Sequence, residues 1–266
     1  MADMKDKRSI RQTEVFEDDS LPDSTSELVI SDAEKTGQLK GVRCRIVMAK
    51  LRASISVGIL VAAAAIFVFL LIDVTAGDVI GLDRFAYRLF VIHLRTTWLT
   101  GIMEGFSGLA SPVTVVVMLI VVAAFAPGPN VGRLACINLV SALAVDLIFK
   151  AIVQRPRPDG FRLVAETGYS FPSGHSMFSM AFYGFLIWLV WHYEKDNLQR
   201  WLFCLSFAFI IIMIGVSRIY LGVHYASDVL GGYSLALVWL VLFTKLMVPA
   251  LIRKPHDKDA TPQRLQ

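Results

Sequence analysis

Three short stretches hold residue types that could act on a phosphate ester. "KAIVQRPRPDG" carries Lys150, with Arg157 and Pro158 seven and eight residues on. "GYSFPSGHSM" carries Pro172, Ser173, Gly174 and His175, and "SRIYLGVHYASD" carries Ser217, Arg218, His224 and Asp228. A phosphoryl group in transfer needs cations to offset charge on its oxygens, a nucleophile, and a proton for the leaving oxygen. Lys150, Arg157 and Arg218 are the cations. His224 stands four residues before Asp228; if both fall on the first turn of one helix, the carboxylate accepts from one ring nitrogen and leaves the other free to attack. Pro172 and Ser173 supply a helix start, Gly174 admits a close neighbour, and free N–H groups at such a start seat an anion.

Each stretch alone also has a plainer reading. Cations at a membrane edge snorkel, Lys150 could simply pair with Asp146 one turn back, the Pro-Ser-Gly-His run could be a helix cap, and His224 with Asp228 a structural pair. Their joint occurrence favours chemistry.

The elements that must position these stretches are apolar helices. The chain has 266 residues, 55% of them apolar, with a mean hydropathy of +0.59, too hydrophobic for a soluble domain of this length. Crossing about 30 Å of hydrocarbon takes roughly 20 helical residues. The runs 53–72, 105–132 (of which 113–126 lies deepest), 134–149, 176–191, 201–216 and 229–244 qualify, predicting six spans. Backbone groups go unsatisfied in lipid unless hydrogen-bonded internally, so the expected fold is all-α, a polytopic six-helix bundle.

The connectors carrying Lys150 to His175 and Ser217 to Asp228 both follow odd-numbered crossings. Topology therefore places them on one membrane face, whichever way the protein is oriented.

Residues 1–40 hold 10 acids against 6 bases and read as a solvated, disordered cytoplasmic tail without signal-peptide character. The expected division is that tail, a six-span domain over 50–253, and a short cytoplasmic tail over 254–266. Basic residues flank the first and last spans (Lys40, Arg43, Arg45, Lys50, Arg52; Arg253, Lys254, Lys258), which puts both termini in the cytoplasm and the polar connectors on the extracytoplasmic face. Cys44, Cys136 and Cys204 are scattered and imply neither a disulfide framework nor a metal site. No cofactor, metal or nucleic-acid partner is expected; the bilayer is the partner, and oligomeric state stays open.

At these positions the sequence resembles the type 2 phosphatidic acid phosphatase family, the membrane lipid phosphatase branch of the acid phosphatase and vanadium haloperoxidase superfamily. Its signature, K-x6-R-P, P-S-G-H and S-R-x5-H-x3-D, stands complete at Lys150, Arg157-Pro158, Pro172 to His175, and Ser217-Arg218 with His224 and Asp228. The resemblance implies metal-independent hydrolysis of a lipid phosphate mono- or diphosphate ester through a phosphohistidine. His224 is the expected nucleophile, Asp228 its support and His175 the acid, with Lys150, Arg157, Ser173, Gly174 and Arg218 around the phosphoryl oxygens. A bell-shaped pH profile would follow. Undecaprenyl diphosphate, phosphatidylglycerophosphate and phosphatidic acid are all open as substrates; a phosphotransferase using the same phosphohistidine and a non-catalytic lipid-phosphate carrier are the alternatives.

Overall fold

The computed structural model describes residues 54–77, 79–125, 130–160 and 162–252, and those residues contain helices and connectors but no strand. The expected tails over 1–40 and 254–266 lie outside the described residues. Contacts divide the chain into Met1–Ile55 and Ser56–Gln266; all that follows concerns the second unit.

The order is α1 (Ser54–Thr75), α2 (Gly81–Ala86) running on through a π-helical segment Tyr87–His93, α3 (Thr97–Gly108), α4 (Pro112–Phe125), α5 (Val131–Val153), α6 (Gly174–Tyr193), α7 (Asn197–Tyr220) and α8 (Ala226–Leu242), which continues through a π-helical turn, Phe243–Met247, into α9 (Val248–Ile252). Among the described residues five helices are long and apolar enough to cross a membrane, and counting the bent pair α3 and α4 as one span gives six. The protein is a multi-pass all-α membrane protein, as the hydropathy predicts. The sequence places the second crossing over 105–132; in the structure its first arm begins at Thr97 and the pair bends by 53°. Pro112 at the bend lacks an N–H to continue the α3 ladder, and the Leu109 carbonyl accepts from Tyr183 Oη at 3.3 Å instead.

Helix α6 is the hub. Of its apolar window 56% is buried inside the protein, against 17% for α1, so α6 packs on protein where α1 faces lipid. The core around it joins Met177, Ala181 and Phe182 of α6 to Ile211 and Ile214 of α7, Ala236 of α8 and Phe171 of the preceding connector. Lipid offers no hydrophobic drive between helices, so small residues and buried polar links hold them. Asn138 of α5 provides such a link, donating to the Ala181 carbonyl at 2.8 Å and accepting from Trp239 Nε1 at 3.1 Å. Where α8 meets the start of α6, a Cβ on Gly232 would stand 2.6 Å from the Ser173 carbonyl. That close approach brings the two polar connectors together.

Candidate active site

Helix α5 ends at Gln154, a left-handed cap whose N–H bonds the Lys150 carbonyl. Beyond it Pro156 and Pro158 bias the residues before them toward extended backbone, so the arginines at 155 and 157 leave the chain two residues apart. The second connector is shorter than the sequence suggests. Helix α7 runs to Tyr220, which places Ser217 and Arg218 in its last turn and leaves only 221–225 before α8. The connectors are stitched by backbone bonds: Leu163 N–H to Leu221 O at 3.0 Å and Ser173 N–H to Asp228 O at 3.0 Å.

His224 precedes the N-cap of α8, Tyr225, so His224 and Asp228 do not share a regular helical turn as the spacing suggests. The cap joins them instead. Asp228 Oδ2 accepts from the Tyr225 N–H at 2.8 Å and lies 3.5 Å from His224 Nδ1, with Ser170 Oγ 3.4 Å from the same nitrogen and donating to Asp228 Oδ2. The other face of the ring, Nε2, stands 3.1 Å from Arg157 Nη1. A guanidinium only donates, so Nε2 is the acceptor and the proton sits on Nδ1, facing Asp228. Burial, helped by Arg157 and Arg218, pulls the His224 pKa down to about 4 against the opposing pull of Asp228. The imidazole is neutral at neutral pH, with a lone pair on Nε2.

Asp228 rests on a second buried layer. Its Oδ1 accepts from Arg155 Nη1 at 2.6 Å; the same guanidinium donates to Ser227 Oγ at 2.8 Å and to Asp83 Oδ2 at 3.1 Å, and lies 4.1 Å from the Tyr225 ring centroid. Asp83 in turn accepts from the Ser227 N–H and hydroxyl, both at 2.8 Å. Burial alone would lower the Arg155 pKa, yet Asp228 and Asp83 hold it above its ordinary value.

The cations face a cavity of about 450 Å³ whose polar end is formed by Lys150, Arg157, Glu166, Gly174, His175 and His224. Lys150 Nζ is 2.7 Å from Asp146 Oδ2. Both groups lie against the start of α6, where a Cβ on Gly174 would stand 2.8 Å from Lys150 Nζ and 3.2 Å from Asp146 Oδ2. A side chain there would make the Lys150 ammonium shift. Arg157 also donates to the carbonyls of Val223, Gly168 and Thr167 at 3.0–3.1 Å, and burial lowers its pKa. Arg218 donates to Ser107 Oγ and to Glu166 Oε1, while its buried Nε has no hydrogen-bond partner among the described residues. Glu166 stands 3.7 Å from Arg157 as well; burial pushes its carboxyl up, but Arg218, His175 and Arg157 together hold it below the usual range.

Of the residues selected from sequence, Lys150, Arg157, Gly174, His175 and His224 line one cavity, and Arg218 and Asp228 bond to groups at its edge. Ser173 does not reach it: the residue is fully buried and its hydroxyl accepts from Ser176 Oγ at 3.1 Å. With no side-chain cap from Ser173, the first-turn N–H groups of α6 stay available to another acceptor. Asp83, Arg155, Glu166 and Ser170 escaped the sequence reading. Arg155 carried a signal, since it stands two residues from Arg157 in a proline-stiffened segment; Asp83 is a single acid more than 70 residues away and carried none. Among the described residues no three His, Cys, Asp or Glu side chains are grouped as a metal ion would require.

A bundle of apolar helices with a cation-lined, histidine-bearing cavity at one end defines an integral-membrane phosphatase. The family model of the PAP2 superfamily matches residues 132–251, and the chain belongs to that superfamily. Phosphatidylglycerophosphatase B of Bacillus subtilis is 31% identical over 155 residues, covering 57% of this chain and 76% of the relative. Human dolichyldiphosphatase 1 is 29% identical over 160 residues, covering 54% and 65% respectively. Among solved structures, the transmembrane PAP2-type phosphatidylglycerolphosphate phosphatase from Bacillus subtilis superposes with a TM-score of 0.62 at 27% identity, over 73% of this chain and 98% of that one. Aquifex aeolicus LpxE superposes with a TM-score of 0.53 at 22% identity, over 62% and 96%, a likeness of fold.

Proposed function

We propose that the protein hydrolyses a membrane lipid phosphate, a mono- or diphosphate ester, through a phosphohistidine on His224. The observation carrying this reading is the ring of His224, neutral, protonated at Nδ1 toward Asp228, with Nε2 turned to a guanidinium that a phosphoryl oxygen can claim in its place.

In the first step His224 Nε2 attacks phosphorus, the bond from phosphorus to the lipid oxygen breaks, and His175 gives its proton to that oxygen. Lys150, Arg157 and Arg218, with the Gly174 N–H, offset charge on the remaining phosphoryl oxygens; Ser173 supports them through the backbone. Asp228 stabilises the ring as it becomes positive. Water then attacks phosphorus, the P–N bond breaks, and the water proton passes to His175, now neutral.

Beyond its polar end the cavity is walled by Val115 and Val116 of α4, Leu139 and Leu143 of α5 and Phe178 of α6. Those side chains suit hydrocarbon, which supports a substrate whose headgroup reaches Lys150 while its chain stays in lipid. The site lies on the extracytoplasmic face, with both termini in the cytoplasm of a cell-membrane protein, on the strength of the basic residues beside the first and last spans.

Purified protein presented with phosphatidylglycerophosphate, phosphatidic acid and undecaprenyl diphosphate should release inorganic phosphate in step with dephosphorylated lipid. Transfer of the phosphoryl group to a second lipid without phosphate release would overturn the hydrolase reading. No turnover of any of the three would remove the substrate class.

A further inference from the structure

Arg157 lines the cavity and Arg218 lies buried behind Glu166 at its edge, and Glu166 is the carboxylate these two positive charges share. We propose that Glu166 is an internal stand-in for the substrate's phosphoryl group: it holds the arginine pair between turnovers, must be expelled for phosphate to bind, and returns as phosphate leaves. The inference rests on the phosphatase reading above and adds a competing residue to it.

Four observations carry it. Glu166 lines the same cavity as Lys150, Gly174, His175 and His224, so its carboxylate lies where an entering anion must come. Its two oxygens engage both arginines, one through a hydrogen bond to Arg218 and the other through an ion-pair contact at 3.7 Å to Arg157. The backbone beside it is pinned, because Arg157 donates to the Thr167 and Gly168 carbonyls, while the side chain remains about a quarter exposed. The chain can therefore stay in place as the carboxylate swings aside. Finally, Glu166 does not exhaust its partner: the Arg218 Nε, on a residue only 2% exposed, has no acceptor among the described residues, and a phosphoryl group offers more oxygens than a carboxylate does.

Contrast Lys150, whose counter-ion Asp146 comes from its own helix one turn away. That pair is fixed by α5 and needs no displacement. Glu166 comes from a connector.

A buried guanidinium without a counter-charge is unfavourable. In the wild-type enzyme Glu166 supplies that charge, so part of the attraction for phosphate is already offset. Removing the charge should tighten phosphate binding and slow its release. The test uses the full chain in detergent, with inorganic phosphate as competitive product inhibitor of lipid-phosphate hydrolysis and its binding followed independently by calorimetry. Glu166→Gln should lower the inhibition and dissociation constants of phosphate by about tenfold, with a lower KM and a lower kcat. Glu166→Asp, which keeps the charge, should not tighten binding. If Glu166→Gln does not fold, Glu166→Ala must show the same tightening.

Unchanged or weaker phosphate binding in the charge-removed variants, with wild type binding phosphate normally, would overturn this inference and leave the phosphatase reading standing. A wild-type protein that neither binds inorganic phosphate nor hydrolyses any lipid phosphate would overturn both.

Discussion

Around Asp228 every carboxylate oxygen has a donor; around Arg218 a buried donor has no acceptor among the described residues. The first region, Asp228 with Arg155, Asp83, Ser170 and Ser227, is closed on itself and its partners come from α2, α8 and both sides of the long connector. The second, Arg218 with Arg157, Glu166, His175 and Lys150, opens on the cavity and its acid side chain is partly exposed. Satisfied buried networks are stiff and expensive to disturb. Partly satisfied ones beside a cavity are where partners exchange. On the proposed mechanism the nucleophile thus stands on a fixed base, while the cavity-facing side is left to trade one anion for another.

The largest effect that sharpens this contrast is loss of the nucleophile. His224→Ala should reduce phosphate release by about 10³-fold or more while the purified protein keeps its helical circular dichroism and its melting behaviour in detergent. Asp228→Asn should fall less steeply, because it keeps an acceptor for His224 Nδ1 but loses the charge that steadies the imidazolium. Substantial turnover by His224→Ala would remove the covalent mechanism.

A second effect separates stability from chemistry. Arg155→Met leaves two buried carboxylates, Asp83 and Asp228, without their shared cation, so it should destabilise the protein by about 3–5 kcal/mol, read as a lower unfolding midpoint. Arg218→Met should cost activity at least as heavily but stability less, since Glu166 can turn toward solvent. Equal losses of stability in the two variants would erase the distinction between the regions.

The sequence made the phosphate-facing side far easier to read than the fixed base. Lys150, Arg157, His175, Arg218, His224 and Asp228 belong to three short stretches whose spacing carries chemical meaning, and the parity of the crossings puts the two connectors that hold them on one face. The base is assembled by tertiary contact. Asp83 meets Ser227 and Arg155 across more than 70 residues, and nothing in the sequence near an isolated acid announces such partners. Glu166 reads as an ordinary loop acid until Arg218 stands beside it. Hydropathy likewise finds crossings through their uncharged runs, which is why α1 and α5 to α8 were legible. The first arm of the second crossing was not, because Glu104 and several glycines interrupt the apolar signal and Pro112 bends the helix pair. Arg218 seemed to belong to a connector for a related reason: a charge is taken to end a span, yet α7 keeps it in helix by giving it Ser107 and Glu166.

The pH dependence tests the fixed base more gently. His224 must be neutral to attack, and its folded pKa is held down to about 4, below the roughly 6.5 of a free imidazole. On the acid side kcat/KM should therefore hold until the pH approaches 4 and then fall about tenfold per unit. The sign for stability follows from the same depression. Between about 6.5 and 4 the unfolded chain binds the proton and the folded one does not, so the contribution of this group is full above 6.5 and declines as pH falls through that window. An acid limb centred near 6.5 would mean that the ring is solvated rather than buried.

The smallest expected effect lies farthest from the charges, on the apolar wall. Val116 of α4 and Leu143 of α5 line the cavity beyond Lys150 and touch none of the reacting groups. Filling that space with Leu143→Trp should raise KM for a long-chain lipid phosphate by about three- to tenfold, equivalent to roughly 0.7–1.4 kcal/mol of lost binding. A short, water-soluble phosphate ester needs only the polar end, so its kcat/KM should change little. If both substrates lose equally, the wall does not hold the chain, and the variant has instead disturbed α5 and the Lys150 it carries.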